Sequence, residues 1–155
     1  MKPLKDIKIL LGPSTFAAQD HSPMEKLAET GCEIIRNPFG RKLTREELIE
    51  LLPGVKGLIA GLETLDEDMM QKSDLKIISR CGSGLSNVDT KAAQKIGIRV
   101  YNTPFGPTRA VTELTVGCLL SLIRQVPQMD RALHGGRWDK RIGRQLKGMN
   151  VLVIG

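Results

Sequence analysis

The stretch Leu75-Lys76-Ile77-Ile78-Ser79-Arg80-Cys81-Gly82-Ser83-Gly84-Leu85-Ser86-Asn87-Val88-Asp89 sets a strand, a glycine turn and a helix start end to end. Leu75 to Ser79 is a short apolar run, as expected of a strand lying under helices. Gly82 and Gly84 let the backbone bend sharply and approach a ligand without side-chain obstruction. Val88 to Ile96 then reads as a helix that Gly97 stops. Two readings of the turn stand on local grounds. Successive exposed N–H groups there form an anion-binding concavity. Alternatively, the small residues only pack a tight strand-to-helix turn.

The same unit recurs on both sides. Ile7-Lys8-Ile9-Leu10-Leu11 is a first strand ended by Gly12-Pro13. Ser22 caps a helix with Pro23 at its first position and Glu25 closing a capping box, and Gly31 stops it. Glu33-Ile34-Ile35-Arg36 is strand two. Thr44-Arg45-Glu46-Glu47 is a second capping box, on a helix that ends at Pro53-Gly54. Gly57-Leu58-Ile59-Ala60 is strand three, followed by a short helix around Asp66 to Gln71. Ile98-Arg99-Val100-Tyr101 is strand five. Short strands separated by crossover helices make a parallel α/β sheet. The expectation is a flavodoxin-like doubly wound sheet over about residues 5–102, with ligands at the carboxyl ends of its strands.

After Tyr101 the pattern changes. Asn102-Thr103-Pro104-Phe105-Gly106-Pro107 is a turn-rich connection, and Thr108 to about Gln125 is a long helix. Val111, Leu114, Cys118, Leu119, Leu122 and Ile123 give it an apolar surface wider than one face, which predicts burial from two sides. One side fits its own domain and the other a second subunit. Pro127 kinks or interrupts the helix. Residues 137–148 read as a basic linker. Met149-Asn150-Val151-Leu152-Val153-Ile154 reads as a buried strand, and Gly155 follows it as the first glycine of a G-x-G-x-x-G dinucleotide turn.

Composition narrows the function classes. The 155 residues are 41% hydrophobic and 26% charged, the balance of a soluble globular protein. The net charge of +6 would suit nucleic acid, but residues 131–147 supply five of those six charges. A basic patch confined to one linker, with Trp138 its only aromatic, is a poor nucleic-acid surface, so no nucleic-acid partner is expected. No apolar stretch approaches the ~20 residues that span a bilayer, so no membrane role is expected. The N-terminus shows no signal-peptide pattern. Cys32, Cys81 and Cys118 are widely separated, which argues for reduced thiols in a cytoplasmic protein. His21 and His134 are too few and too isolated for a metal site.

Five motifs in fixed order carry a resemblance. They are Gly82-Ser83-Gly84-Leu85-Ser86-Asn87-Val88-Asp89, Gly97-Ile98-Arg99-Val100-Tyr101-Asn102-Thr103-Pro104, Glu113-Leu114-Thr115, Gly136-Arg137-Trp138 and Leu146-Lys147-Gly148-Met149-Asn150-Val151-Leu152-Val153-Ile154-Gly155. Together they resemble the NAD-dependent D-2-hydroxyacid dehydrogenases, with the D-3-phosphoglycerate dehydrogenases as the nearest branch. The resemblance implies that residues 1–102 are a substrate-binding domain. Residues 103–155 are then the start of an NAD-binding domain: a dimerisation helix, the basic linker and the first Rossmann strand. It implies that backbone N–H groups of Cys81, Gly82, Ser83 and Gly84 hold the substrate carboxylate. By the same resemblance, Ser83 is also expected against the nicotinamide end of NAD, Asn102 is expected to buttress the substrate loops, Gly155 to begin the cofactor turn, and a homodimer to form through helix 108–125.

The reaction implied is hydride transfer between NAD and a D-2-hydroxy acid or 2-oxo acid, with 3-phosphoglycerate one candidate. The arginine, glutamate and histidine that catalyse it in the family lie beyond residue 155, so no catalytic residue is assigned, and neither His21 nor His134 matches the catalytic position. The chain alone is therefore expected to be inactive, an N-terminal portion of the enzyme. Two positions depart from the family pattern. Ser86 stands where aspartate is common, and Gly61 stands where phosphoglycerate dehydrogenases present an arginine to the phosphate. Residues 12–16, with Arg36 or Arg41 as cations, are expected to contribute instead. Glu113 matches a helix glutamate of the family, although a carboxylate early in a helix also complements its dipole.

The competing class is a non-catalytic module that dimerises or binds a small anion. Other proteins of this fold fit less well. Gly12-Pro13-Ser14-Thr15 lacks a glycine-rich flavin-phosphate pattern, and strand three ends in Ala60-Gly61 without the aspartate of a phosphoacceptor domain.

Overall fold

The computed structural model describes residues 4–154, and the chain divides after Gly106 into two compact units. In the first unit, β1 (Lys8–Leu11), β2 (Glu33–Arg36), β3 (Val55–Ala60), β4 (Ile77–Arg80) and β5 (Arg99–Tyr101) form one sheet in the order β2-β1-β3-β4-β5. Every neighbouring pair is parallel. This is the expected flavodoxin-like order, and its direction reverses between β1 and β3. The loops after those two strands therefore diverge and leave a crevice at the carboxyl edge.

Four helices connect the strands: α1 (Ser22–Glu29), α2 (Arg45–Leu51), α3 (Glu67–Gln71) and α4 (Thr90–Ile96). The core lies between one sheet face and α2, α3 and α4. Leu10, Leu58 and Ile78 project from adjacent strands onto Leu48, Met69, Met70, Ala92 and Ala93, all essentially inaccessible to water. The opposite face is only partly covered. Ile9, Gly57, Ile59 and Ile77 line an apolar groove of about 550 Å³ with Leu27 of α1.

The Thr44 capping box forms as expected. Thr44 accepts from the Glu47 N–H, and the Glu47 carboxylate accepts from the Thr44 N–H at 2.9 Å. The Ser22 box does not form. His21 occupies the cap of α1, and the Ser22 N–H and hydroxyl both donate to Asp20, at 2.9 and 2.8 Å. A carboxylate is the stronger acceptor, so Asp20 takes the donors. Helix α4 starts two residues later than expected. Val88 pairs in a one-residue bridge with Leu65, and Asp89 caps the helix by accepting from the Ala92 N–H.

The second unit contains α5 (Thr108–Ile123) and α6 (Val126–His134). The break between them falls at Gln125, which adopts φ +57°, and Pro127 sits in the first turn of α6. Proline there is compatible with helix, so it follows the break. Two expectations are not met within this unit. Helix α5 has no buried residue, and Leu114 and Leu122 are 67% and 65% exposed, so the side expected to pack on its own domain is uncovered among the described residues. Residues 151–154 pair with no other strand and are exposed. A strand exists through its neighbours' hydrogen bonds, and this unit offers none. Residues 137–148 form an irregular segment, as expected of a linker. No helix among the described residues is long and apolar enough to cross a membrane.

Candidate functional site

The glycine turn leaves the carboxyl end of β4, next to β3. The Cys81 N–H donates to the Ala60 carbonyl at 2.8 Å, which continues the sheet one residue past the strand. The Gly82 N–H folds back to the Arg80 carbonyl at 2.9 Å, with Gly82 at φ +141°. Of the four backbone donors expected to face an anion, Cys81 and Gly82 are therefore engaged inside the protein. Ser83 and Gly84 make no backbone bond among the described residues, and both are exposed. Nothing lies within 4 Å of where a Cβ on Gly84 would stand. An anion can approach these two N–H groups.

The turn is held from both sides. Asn102, just after β5, donates its amide to the Ser83 carbonyl at 2.7 Å, and the Thr103 N–H donates to the Gly82 carbonyl at 3.0 Å. On the β3 side, Asn87 Nδ2 donates to the carbonyls of Gly61 and Glu63, at 3.2 and 2.6 Å. Asn37, after β2, donates to the Gly12 carbonyl at 2.7 Å. Side-chain amides thus tie the neighbouring loops along the carboxyl edge.

A pocket of about 270 Å³ opens at the crevice beside this turn. Ser14, Thr15, Lys42, Gly61, Glu63 and Arg80 are among its lining residues. Gly61 has no side chain and presents no charge. The cations at the pocket are Lys42 and Arg80, not the expected Arg36 or Arg41. Arg41 is bound by the Glu47 carboxylate at 2.9 and 2.6 Å, and its guanidinium lies 5.3 Å from the centre of the Phe39 ring. That salt bridge holds the Glu47 carboxyl below the usual carboxylate range, with the Thr44 N–H reinforcing it. Arg80 donates to the Cys81 carbonyl, while its buried Nε has no partner among the described residues.

Glu63 and Asn87 carry much of this geometry, and only their place beside strand ends hinted at it. Glu113 is exposed and lies beyond the first turn of α5, so it does not act as a first-turn partner of the helix dipole. Gly155 lies outside the described residues. Cys32, Cys81 and Cys118 are free thiols, and no group of three metal-ligating side chains comes together among the described residues.

Residues 15–150 match the catalytic domain of the D-isomer specific 2-hydroxyacid dehydrogenases. D-3-phosphoglycerate dehydrogenase of Rattus norvegicus is 34% identical over 133 residues, which cover 83% of this chain and 24% of that enzyme. Among solved structures, the TT0316 protein of Thermus thermophilus is 28% identical at a TM-score of 0.76, covering 92% of this chain and 46% of that one. NAD+-bound 3-phosphoglycerate dehydrogenase of Entamoeba histolytica is 26% identical at 0.71, covering 92% and 44%. The chain spans about a quarter of the length of the curated D-3-phosphoglycerate dehydrogenases it matches.

Proposed function

The chain belongs to the D-isomer specific 2-hydroxyacid dehydrogenase family, and we propose that it is the substrate-binding part of an NAD-dependent oxidoreductase. The reaction is hydride transfer between NAD and C2 of a D-2-hydroxy acid or 2-oxo acid. The observation that carries this reading is the pair of unengaged N–H groups at Ser83 and Gly84, at the carboxyl end of β4. They receive the substrate carboxylate, while Cys81 and Gly82 set the shape of the turn and Asn102 fixes it from behind. Bound NAD accepts or supplies the hydride. In this reading the exposed Ser83 also meets the nicotinamide end of bound NAD. The described residues contain no glycine-rich pyrophosphate turn, so the rest of the cofactor rests on residues outside them.

The distal end of the substrate enters the pocket after β1 and β3. Lys42 and Arg80 outweigh the one carboxylate in the lining, Glu63, and make that pocket suitable for a second negative group, including a phosphate. The substrate candidate with that chemistry is 3-phosphoglycerate, read by cations other than one at Gly61. The three free thiols support a cytoplasmic location, and the apolar surface of α5 supports a homodimer.

The test is an NADH-oxidation assay of the full-length protein against pyruvate, hydroxypyruvate and 3-phosphohydroxypyruvate, beside the 155-residue chain alone. Turnover by the full-length protein, with neither turnover nor NADH binding by the short chain, is expected. Inactivity of the full-length protein on all three sinks the dehydrogenase reading in favour of a non-catalytic, dimerising or anion-binding role. Tight NADH binding by the short chain overturns the assignment of the cofactor site to residues beyond it.

A further inference from the structure

Glu63, in the lining of the crevice pocket, is the one buried charged residue among those described, 2% exposed, and it forms no ion pair among them. A buried carboxylate without a cation is costly unless hydrogen bonds satisfy it. Glu63 Oε2 accepts the Gly61 N–H at 2.6 Å. The rest of the carboxylate fills the space left by two glycines. A Cβ on Gly12 would stand 3.0 Å from Oε1, and one on Gly61 3.2 Å from Oε2. The carboxylate is thus wedged where the loops after β1 and β3 diverge.

We propose that Glu63 is a positioning residue for the substrate turn, through Asn87; this rests on the reading of Ser83 and Gly84 as the carboxylate site. The carboxylate closes residues 61–63 on themselves, which brings the Gly61 and Glu63 carbonyls to one place. Asn87 Nδ2 donates to both. Asn87 lies three residues beyond Gly84, and Asp89 behind it caps α4. The Leu65 N–H also donates to the Asn87 carbonyl at 2.8 Å. The segment after the turn is therefore anchored to a loop whose shape Glu63 sets. Asn37 joins β2 to β1, Asn87 joins the loop after β3 to the segment after β4, and Asn102 joins β5 to β4; between β1 and β3 the Glu63 carboxylate packs against Gly12. Reach decides whether the bond forms at all: one methylene shorter, the carboxylate no longer arrives at the Gly61 N–H, whereas a glutamine carbonyl at the same reach still accepts it.

The experiment compares Glu63→Asp and Glu63→Gln in the full-length protein, with Gly84→Val as the control for the turn itself. KM and kcat are measured for hydroxypyruvate with saturating NADH, and Kd for oxalate with NADH present is measured by calorimetry. Glu63→Asp keeps the charge and shortens the reach; Glu63→Gln keeps the reach and removes the charge. The expected result is a roughly tenfold rise in KM and in oxalate Kd for Glu63→Asp, kcat within about twofold, and near-native values for Glu63→Gln. Native affinity in Glu63→Asp, with affinity lost in Gly84→Val, overturns the role of Glu63 and leaves the turn assignment standing. Native affinity in Gly84→Val overturns the turn assignment, and the inference falls with it. Melting temperatures separate a general loss of stability, which lowers Tm without moving KM, from a change in the site.

Discussion

The Asn102 side-chain amide and the Ser83 carbonyl, nineteen residues apart in the chain, meet at 2.7 Å. The bond consumes the carbonyl and leaves the neighbouring N–H groups of Ser83 and Gly84 free for a ligand. Asn102→Ala removes one neutral hydrogen bond, so stability falls by about 1 kcal/mol. Substrate affinity falls severalfold because the turn is no longer held. Asn102→Asp sets a carboxylate oxygen against a carbonyl and is the worse of the two. Urea unfolding and KM of the full-length protein check both; an Asp variant indistinguishable from wild type would show that the bond is incidental.

Gly82 and Gly84 respond differently to a side chain. Gly82 has φ +141°, and a Cβ there would run into the Arg80 guanidinium. Gly82→Ala is therefore expected to destabilise the fold by about 1–3 kcal/mol. A Cβ on Gly84 meets nothing, so Gly84→Val is expected to leave Tm within a few degrees while abolishing carboxylate binding. Thermal melts beside oxalate titrations separate the two. A Gly84→Val protein that binds oxalate normally removes this turn from the site.

Acid should unfold the first unit in part through two helix starts. Asp66 is held below its ordinary range first by the Met69 N–H that it caps, then by Arg45. Glu47 is held down by Arg41 and the Thr44 N–H. Both folded-state values lie below the unfolded ones, so their stabilisation is complete above the ordinary carboxylate range and is lost as pH falls through the depressed values. Tm is expected to be level from pH 7 to about 5 and to drop below about 4. Asp66→Asn should lower Tm at pH 7 and flatten the acid limb, whereas equal acid limbs would assign the loss elsewhere. Thr44→Ala should cost about 1 kcal/mol at pH 7, read from urea unfolding.

Periodicity and turn residues made the sheet legible. Short apolar runs between capped helices leave little choice but a parallel layer, and each strand lies within a few residues of its expected place. What local sequence missed was competition. Ser22 is a good cap in isolation, but Asp20 two residues away takes its hydrogens. Residues 149–154 have a strand's composition, yet strands are made by partners. In the site, the glycines and Asn102 were visible as a motif. Lys42, Glu63 and Arg80 were not, because their meeting depends on the reversal of strand order between β1 and β3.

Helix α5 leads to the last prediction. Val111, Leu114, Cys118 and Leu122 fall on one stripe at helical spacing, and Leu114 and Leu122 are among its most exposed side chains. An exposed apolar stripe of this kind marks an interaction surface. In a two-fold dimer each leucine is buried twice, once per subunit. Burial of one leucine is worth about 1.5–3 kcal/mol, so replacing it by a charge removes at least about 3 kcal/mol from the dimer. That is more than a hundredfold in the dissociation constant. Leu114→Lys and Leu122→Glu should each convert the full-length protein from dimer to monomer at micromolar concentration in sedimentation velocity. Exposed Arg109 on the same helix provides a control, since Arg109→Gln should leave the dimer intact. A wild-type monomer, or dimers that survive both leucine changes, would assign the stripe to a surface other than the subunit contact.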